Sequence, residues 1–110
     1  MKKDPKIFLN HILESIGEIE KNLTNLNEVE FYRNVTVQDA IIRRLEIIGE
    51  ATKNLPKSFK DKHSEVEWRK VAGLRDIIVH EYFGLSLKLI WRITQKDIPE
   101  LKRKISKVMT

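Results

Sequence analysis

Cysteine is absent from this chain of 110 residues. That excludes disulfides, thiolate nucleophiles and thiolate metal sites. Turn formers are scarce, with 4 glycines and 3 prolines, too few to punctuate the many short strands of a sandwich or barrel. No strict alternation of apolar and polar residues runs long enough for a sheet, and no apolar run approaches the ~20 residues that span a bilayer. The opening residues, Met1-Lys2-Lys3-Asp4-Pro5, carry the lysines of a signal peptide without its apolar core. A soluble, cytoplasmic protein without membrane association is expected. No carboxylate–histidine spacing suggests a metal site and no Gly-rich phosphate loop is present, so neither metal nor cofactor is expected.

What is present fits one domain, residues 1–110. A chain of this size buries roughly 65% of its unfolded surface and folds without covalent staples. Lys and Arg number 21 against 16 Asp and Glu, a net charge of +5. This mild basic bias permits an anionic partner such as RNA without requiring one. Part of the excess sits in residues 99–110, where Lys102, Arg103, Lys104 and Lys107 face only Glu100; it reads as a solvated face.

The apolar period is helical. Leu9, Ile12, Ile16, Ile19, Leu23 and Leu26 are spaced 3, 4, 3, 4, 3, the stripe of a helix packed at a shallow angle in a bundle. Asp4 and Pro5 suit its start. Residues 24–35 read as a polar loop with a short turn around Glu28–Tyr32. Thr36 is the expected cap of a second helix running to about Leu55, with Val37, Ala40, Ile41, Leu45, Ile48, Ala51 and Leu55 on its apolar face. Gly49 inside it costs about 1 kcal/mol against alanine, which predicts close approach of another helix at Gly49 and Ala51. Pro56 ends this helix, and residues 56–63 read as a connector. Ser64 and Glu67 form a capping-box pattern ahead of a third helix with Trp68, Val71, Leu74 and Ile78, terminated at Gly84. Ser86 caps a fourth with Leu87, Ile90 and Trp91. Asp97-Ile98-Pro99 marks a kink or fresh start before Ile98, Leu101, Ile105 and Val108. The fold expected is all-α: an up-and-down bundle of four to five helices.

The chemistry concentrates in Arg75-Asp76-Ile77-Ile78-Val79-His80-Glu81-Tyr82. A guanidinium binds phosphate bidentately and keeps its charge; an imidazole exchanges protons near neutral pH. Together they suffice to cleave a phosphodiester without metal. Arg75 and His80 lie about 140° apart around an ideal helix, whereas Asp76 and His80 are an i,i+4 pair. A joint site therefore needs a helix loosened near Gly84, a long reach by the arginine, or two motifs facing across a two-fold axis. The last supplies two histidines, one as base and one as acid. The plain alternative is a helix surface with a solvated histidine and Tyr82 at the core rim. His11 and His63 read as surface residues, and Trp68 and Trp91 as core anchors.

Glu67-Trp68-Arg69-Lys70-Val71-Ala72-Gly73-Leu74-Arg75, followed by His80-Glu81-Tyr82-Phe83-Gly84, resembles the signature of the HepT-like toxins of the HEPN superfamily. Ala40-Ile41-Ile42-Arg43-Arg44-Leu45-Glu46-Ile47-Ile48-Gly49-Glu50-Ala51 resembles that family's second-helix block. Ile90-Trp91 and Asp97-Ile98-Pro99-Glu100-Leu101 match as well, so the likeness spans most of residues 36–102 in order. The resemblance implies a HEPN-like bundle that forms a homodimer with both motifs in one cleft. It implies a metal-independent endoribonuclease, the toxin of a toxin–antitoxin pair, acting on RNA beside a minimal nucleotidyltransferase antitoxin. It implies catalytic roles for Arg75 and His80, and AMP transfer onto Tyr82 as the silencing modification. Asp76 stands where the family often has asparagine and is a supporting residue, placed to pair with the guanidinium. Glu67 stands where many relatives have proline. The alternative within the family is a non-catalytic subunit that binds a nucleotide or only the nucleotidyltransferase partner.

Overall fold

Helical periodicity governs the observed chain. The computed structural model describes residues 4–80 and 86–110, without the side chains of Val79 and His80. Helix α1 is Pro5–Leu23, α2 Glu28–Arg33, α3 Val35–Asn54, α4 Lys57–Lys62 and α5 Trp68–His80. Helix α6, Leu87–Arg92, runs through a π-helical turn, Ile93–Asp97, into α7, Ile98–Met109. Among the described residues there is no strand, and no helix is long and apolar enough to cross a membrane. The fold is all-α, as expected.

Helix α1 begins as its sequence dictates: the Asp4 carboxylate accepts from the Lys6 N–H at 2.9 Å, and Pro5 occupies the first turn. Its buried stripe, Leu9, Ile12, Ile16 and Ile19, meets Ile41, Leu45 and Ile48 of α3 in one continuous core. Helix α3 is central, packed on α1 along one side and α5 along another, while α7 closes over α1. Trp68 and Trp91 are core anchors, as expected: Trp68 is buried, and Trp91 stacks on the fully buried Phe31 with ring centroids 5.4 Å apart.

Two stretches read as connectors are partly helical. In residues 24–35, Asn27 accepts from the Glu30 N–H and Glu30 accepts from the Asn27 N–H, each at 2.9 Å. This capping box starts α2, and burial of Phe31 holds it in place. Residues 57–62 form α4, whose Phe59 packs between His63 and Trp68.

Two cap assignments need correction. Asn34, not Thr36, caps α3, its side chain accepting from the Val37 N–H at 3.0 Å. Ser64 does not open α5, which starts at Trp68. The Trp68 indole N–H donates to the carbonyls of His63 at 2.9 Å and Lys60 at 3.2 Å. With Val66 buried, these bonds draw residues 64–67 into a turn. Ser86 does cap α6, accepting from the Leu89 N–H at 3.2 Å. The kink expected at Pro99 is the π turn. A proline ring collides with the carbonyl four residues back in a regular helix. Widening the preceding turn, so that the Ile98 N–H reaches the Ile93 carbonyl, relieves this and keeps Ile98, Leu101 and Ile105 in the core. Gly84 lies outside the described residues.

Candidate active site

The site is organised by one close crossing. A Cβ built on Gly49 would stand 2.8 Å from both Cβ and the backbone N of Arg75, and 3.3 Å from the Ala72 carbonyl. Only glycine lets α3 and α5 meet backbone to backbone here, the return anticipated for a mid-helix glycine. Arg75 thus leaves its helix at the point of contact.

Charge pairs flank the crossing. Arg75 Nε lies 2.8 Å from a Glu50 carboxylate oxygen, and Lys53 Nζ lies 2.8 Å from Asp76 Oδ1. Glu50 of α3 thus pairs with Arg75, and Asp76, the acid singled out beside the guanidinium in the sequence, ties α5 to Lys53. The Arg75 side chain is 40% exposed and that of Glu50 54%. A pair this open adds at most about 1 kcal/mol to stability. Its main effect is orientation: one of the five guanidinium donors is fixed on Glu50, so the planar group is aimed while its other donors stay within reach of solvent.

Arg75 opens onto a groove of about 340 Å³ walled by α1, α3 and α5. Its polar rim includes His11, Arg43, Glu46 and Glu50. His11 is exposed, as read from the sequence, but it shares this groove with Arg75. Arg43, Glu46, Glu50 and Asn54 recur at helical spacing and so form one polar stripe along α3. That stripe is a legible signal in the sequence; that it faces Arg75 is not.

Helix α5 persists through His80, so the backbone positions of Arg75 and His80 keep the separation of about 140° of a regular helix. The His80 side chain and the whole of Tyr82 lie outside the described residues. Among the described residues, no group of three or more His, Cys, Asp or Glu converges as a metal site would require.

Residues 12–108 match the family described as "Ribonuclease HepT-like". A protein of Methanocaldococcus jannaschii named "Gamma-glutamylcyclotransferase and putative RNase" is 50% identical over 99% of this chain. The chain spans about half of that relative's length, 49%. The "Probable ribonuclease HepT" of Thermococcus cleftensis is 42% identical, with 98% of each chain covered. No solved structure gives a significant match. The family match begins within α1 and ends within α7, and so takes in the α3–α5 crossing with Arg75 and Glu50: this chain belongs to the HepT-like ribonuclease family.

Proposed function

We propose that this chain is a metal-independent endoribonuclease, the toxin of a pair whose antitoxin is a nucleotidyltransferase. The observation that carries this reading is the fixed guanidinium of Arg75, oriented by Glu50 at the lip of an open groove, in a member of a ribonuclease family. In the proposed reaction a histidine takes the proton of a ribose 2′-hydroxyl. The 2′-oxygen attacks the adjacent phosphorus and the bond to the 5′-oxygen breaks. A second histidine protonates the departing oxygen, leaving a 2′,3′-cyclic phosphate and a 5′-hydroxyl. Arg75 neutralises the phosphoryl oxygens as charge builds.

General acid–base help is worth roughly 10²–10⁴ in rate, and a preorganised charged donor about 10²–10³ more. Because the backbone positions of Arg75 and His80 lie about 140° apart around α5, the reading includes a two-fold homodimer in which the motifs complete each other.

The test is cleavage of a labelled RNA by the purified chain. Arg75→Ala and His80→Ala should each lower the rate by at least about 10² while circular dichroism stays native, and EDTA should leave wild-type cleavage intact. Wild-type rates in His80→Ala, or complete loss in chelator, overturn the mechanism.

Regulation is proposed at Tyr82. AMP on its hydroxyl brings a phosphate that competes with RNA for Arg75. Intact-mass measurement after co-expression with the nucleotidyltransferase should find AMP increments on wild type and none on Tyr82→Phe; persistence on the variant refutes this part alone.

A further inference from the structure

We propose that the groove beside Arg75 is a nucleotide subsite, seating the nucleotide next to the phosphodiester that Arg75 holds. This deepens the ribonuclease reading and rests on it.

The volume, about 340 Å³, falls in the range of sites for small ligands, and its lining sets three apolar residues among six polar ones. The floor is Phe8 of α1 with Ile47 and Ala51 of α3. Phe8 is only half-buried, so part of its ring is available for a base to lie against; such stacking tolerates any base, because each has a π-face. The rim brings Arg43 of α3 and His11 of α1, both exposed. The planar fork of Arg43 suits a phosphate that flanks the one on Arg75, and His11 adds a second donor.

The acids in the groove narrow the ligand. Arg43 and Arg75 are balanced by Glu46 and Glu50, so with His11 neutral the lining carries no net charge and is no general sink for anions. Glu50 is already taken up by Arg75 at 2.8 Å. Glu46 only accepts hydrogen bonds, which suits a base amino group or a ribose hydroxyl and penalises a bare phosphate. The mixed lining therefore selects a nucleotide over inorganic phosphate. Arg43 and His11 are positioning residues here, holding the strand while Arg75 and His80 act on the adjoining linkage.

The experiment measures binding of a fluorescein-labelled, single-stranded ten-nucleotide RNA with 2′-O-methyl riboses, which cannot be cut by 2′-oxygen attack. Arg43→Gln should weaken binding by about tenfold and reduce the slope of log affinity against log salt by about 0.7, the value for one fewer neutralised phosphate on a single strand. Phe8→Leu, which keeps the apolar bulk and removes the aromatic face, should weaken binding about tenfold with the salt slope unchanged. AMP should displace the oligonucleotide at lower concentration than inorganic phosphate. On cleavable RNA, Arg43→Gln should raise KM about tenfold and hold kcat within about twofold.

The subsite is wrong if wild type does not bind the oligonucleotide, if both variants bind as wild type does, or if inorganic phosphate competes better than AMP. If wild type binds as described but cuts no RNA, the ribonuclease reading falls and the nucleotide subsite stands.

Discussion

Gly49 decides how closely α3 and α5 meet. An alanine there gains about 1 kcal/mol in helix propensity. It also places a methyl group 2.8 Å from two atoms of Arg75, one of them backbone, which cannot swing aside. Overpacking of this kind costs about 1–3 kcal/mol, so the clash wins. Gly49→Ala should melt several degrees below wild type and cut RNA more slowly, because Arg75 is displaced with its helix. Gly17→Ala is the control. A Cβ at Gly17 meets nothing within 4 Å, and α1 should gain about 0.5–1 kcal/mol. Thermal melts that fail to move in opposite directions would refute the close-crossing account. The crossing is readable in the sequence, since a glycine inside an otherwise strong helix needs a reason. The site roles of Glu50, His11 and Arg43 are not. A cross-helix pair depends on the rotation of α3 against α5, and nothing in the local pattern of either helix gives that angle.

Elements are legible where the apolar stripe is long and less so at their ends. Helices α1 and α3 fall within a residue or two of their expected bounds, because their stripes run through four or more turns. The start of α5 differs from its expected position because Ser64 and Glu67 make a good local cap, whereas the indole bonds of Trp68 to His63 and Lys60 favour a turn. Tertiary contact outweighs local chemistry. The short α2 reads only as a turn, although its Asn27–Glu30 box is present in the sequence. A helix of 6 residues has little propensity of its own and leans on such a cap. Asn27→Ala should cost about 1 kcal/mol, seen as a lower melting temperature and faster amide exchange in α2, with α5 and its groove unaffected. Equal exchange in α2 of both proteins would contradict the cap's role.

At the scale of the molecule, buried residues from α1 to α7 form one cluster, including Leu9, Phe31, Leu45, Leu74, Ile90 and Ile105. One core implies one cooperative unit. Trp68 reports on the α4–α5 end and Trp91 on the contact with Phe31. Tryptophan fluorescence and far-ultraviolet circular dichroism should therefore give coincident unfolding curves and, for the proposed dimer, a midpoint that rises with protein concentration. Light scattering at high micromolar concentration should give twice the mass of the chain; a monomer there would remove the paired-motif mechanism. The all-α architecture is legible because so few turn formers and so consistent a period leave little else to build. The architecture alone names no substrate. That inference comes from the resemblance of the Arg75–Tyr82 segment and the Ala40–Ala51 block to the HepT-like family.

The glycine notch also has a mechanical side. Where two helices touch through their backbones, a small rigid tilt of one against the other turns about the point of contact. Arg75 stands at that fulcrum and would hardly move under such a tilt of α5. Five residues on, at a rise of about 1.5 Å each, the helix is a lever arm of about 7.5 Å, and a tilt of about 5° carries its end through about 0.7 Å. In the proposed mechanism the phosphate-holding group is thus the stationary post of the motif, and the backbone that bears the proton-transfer group is its moving arm.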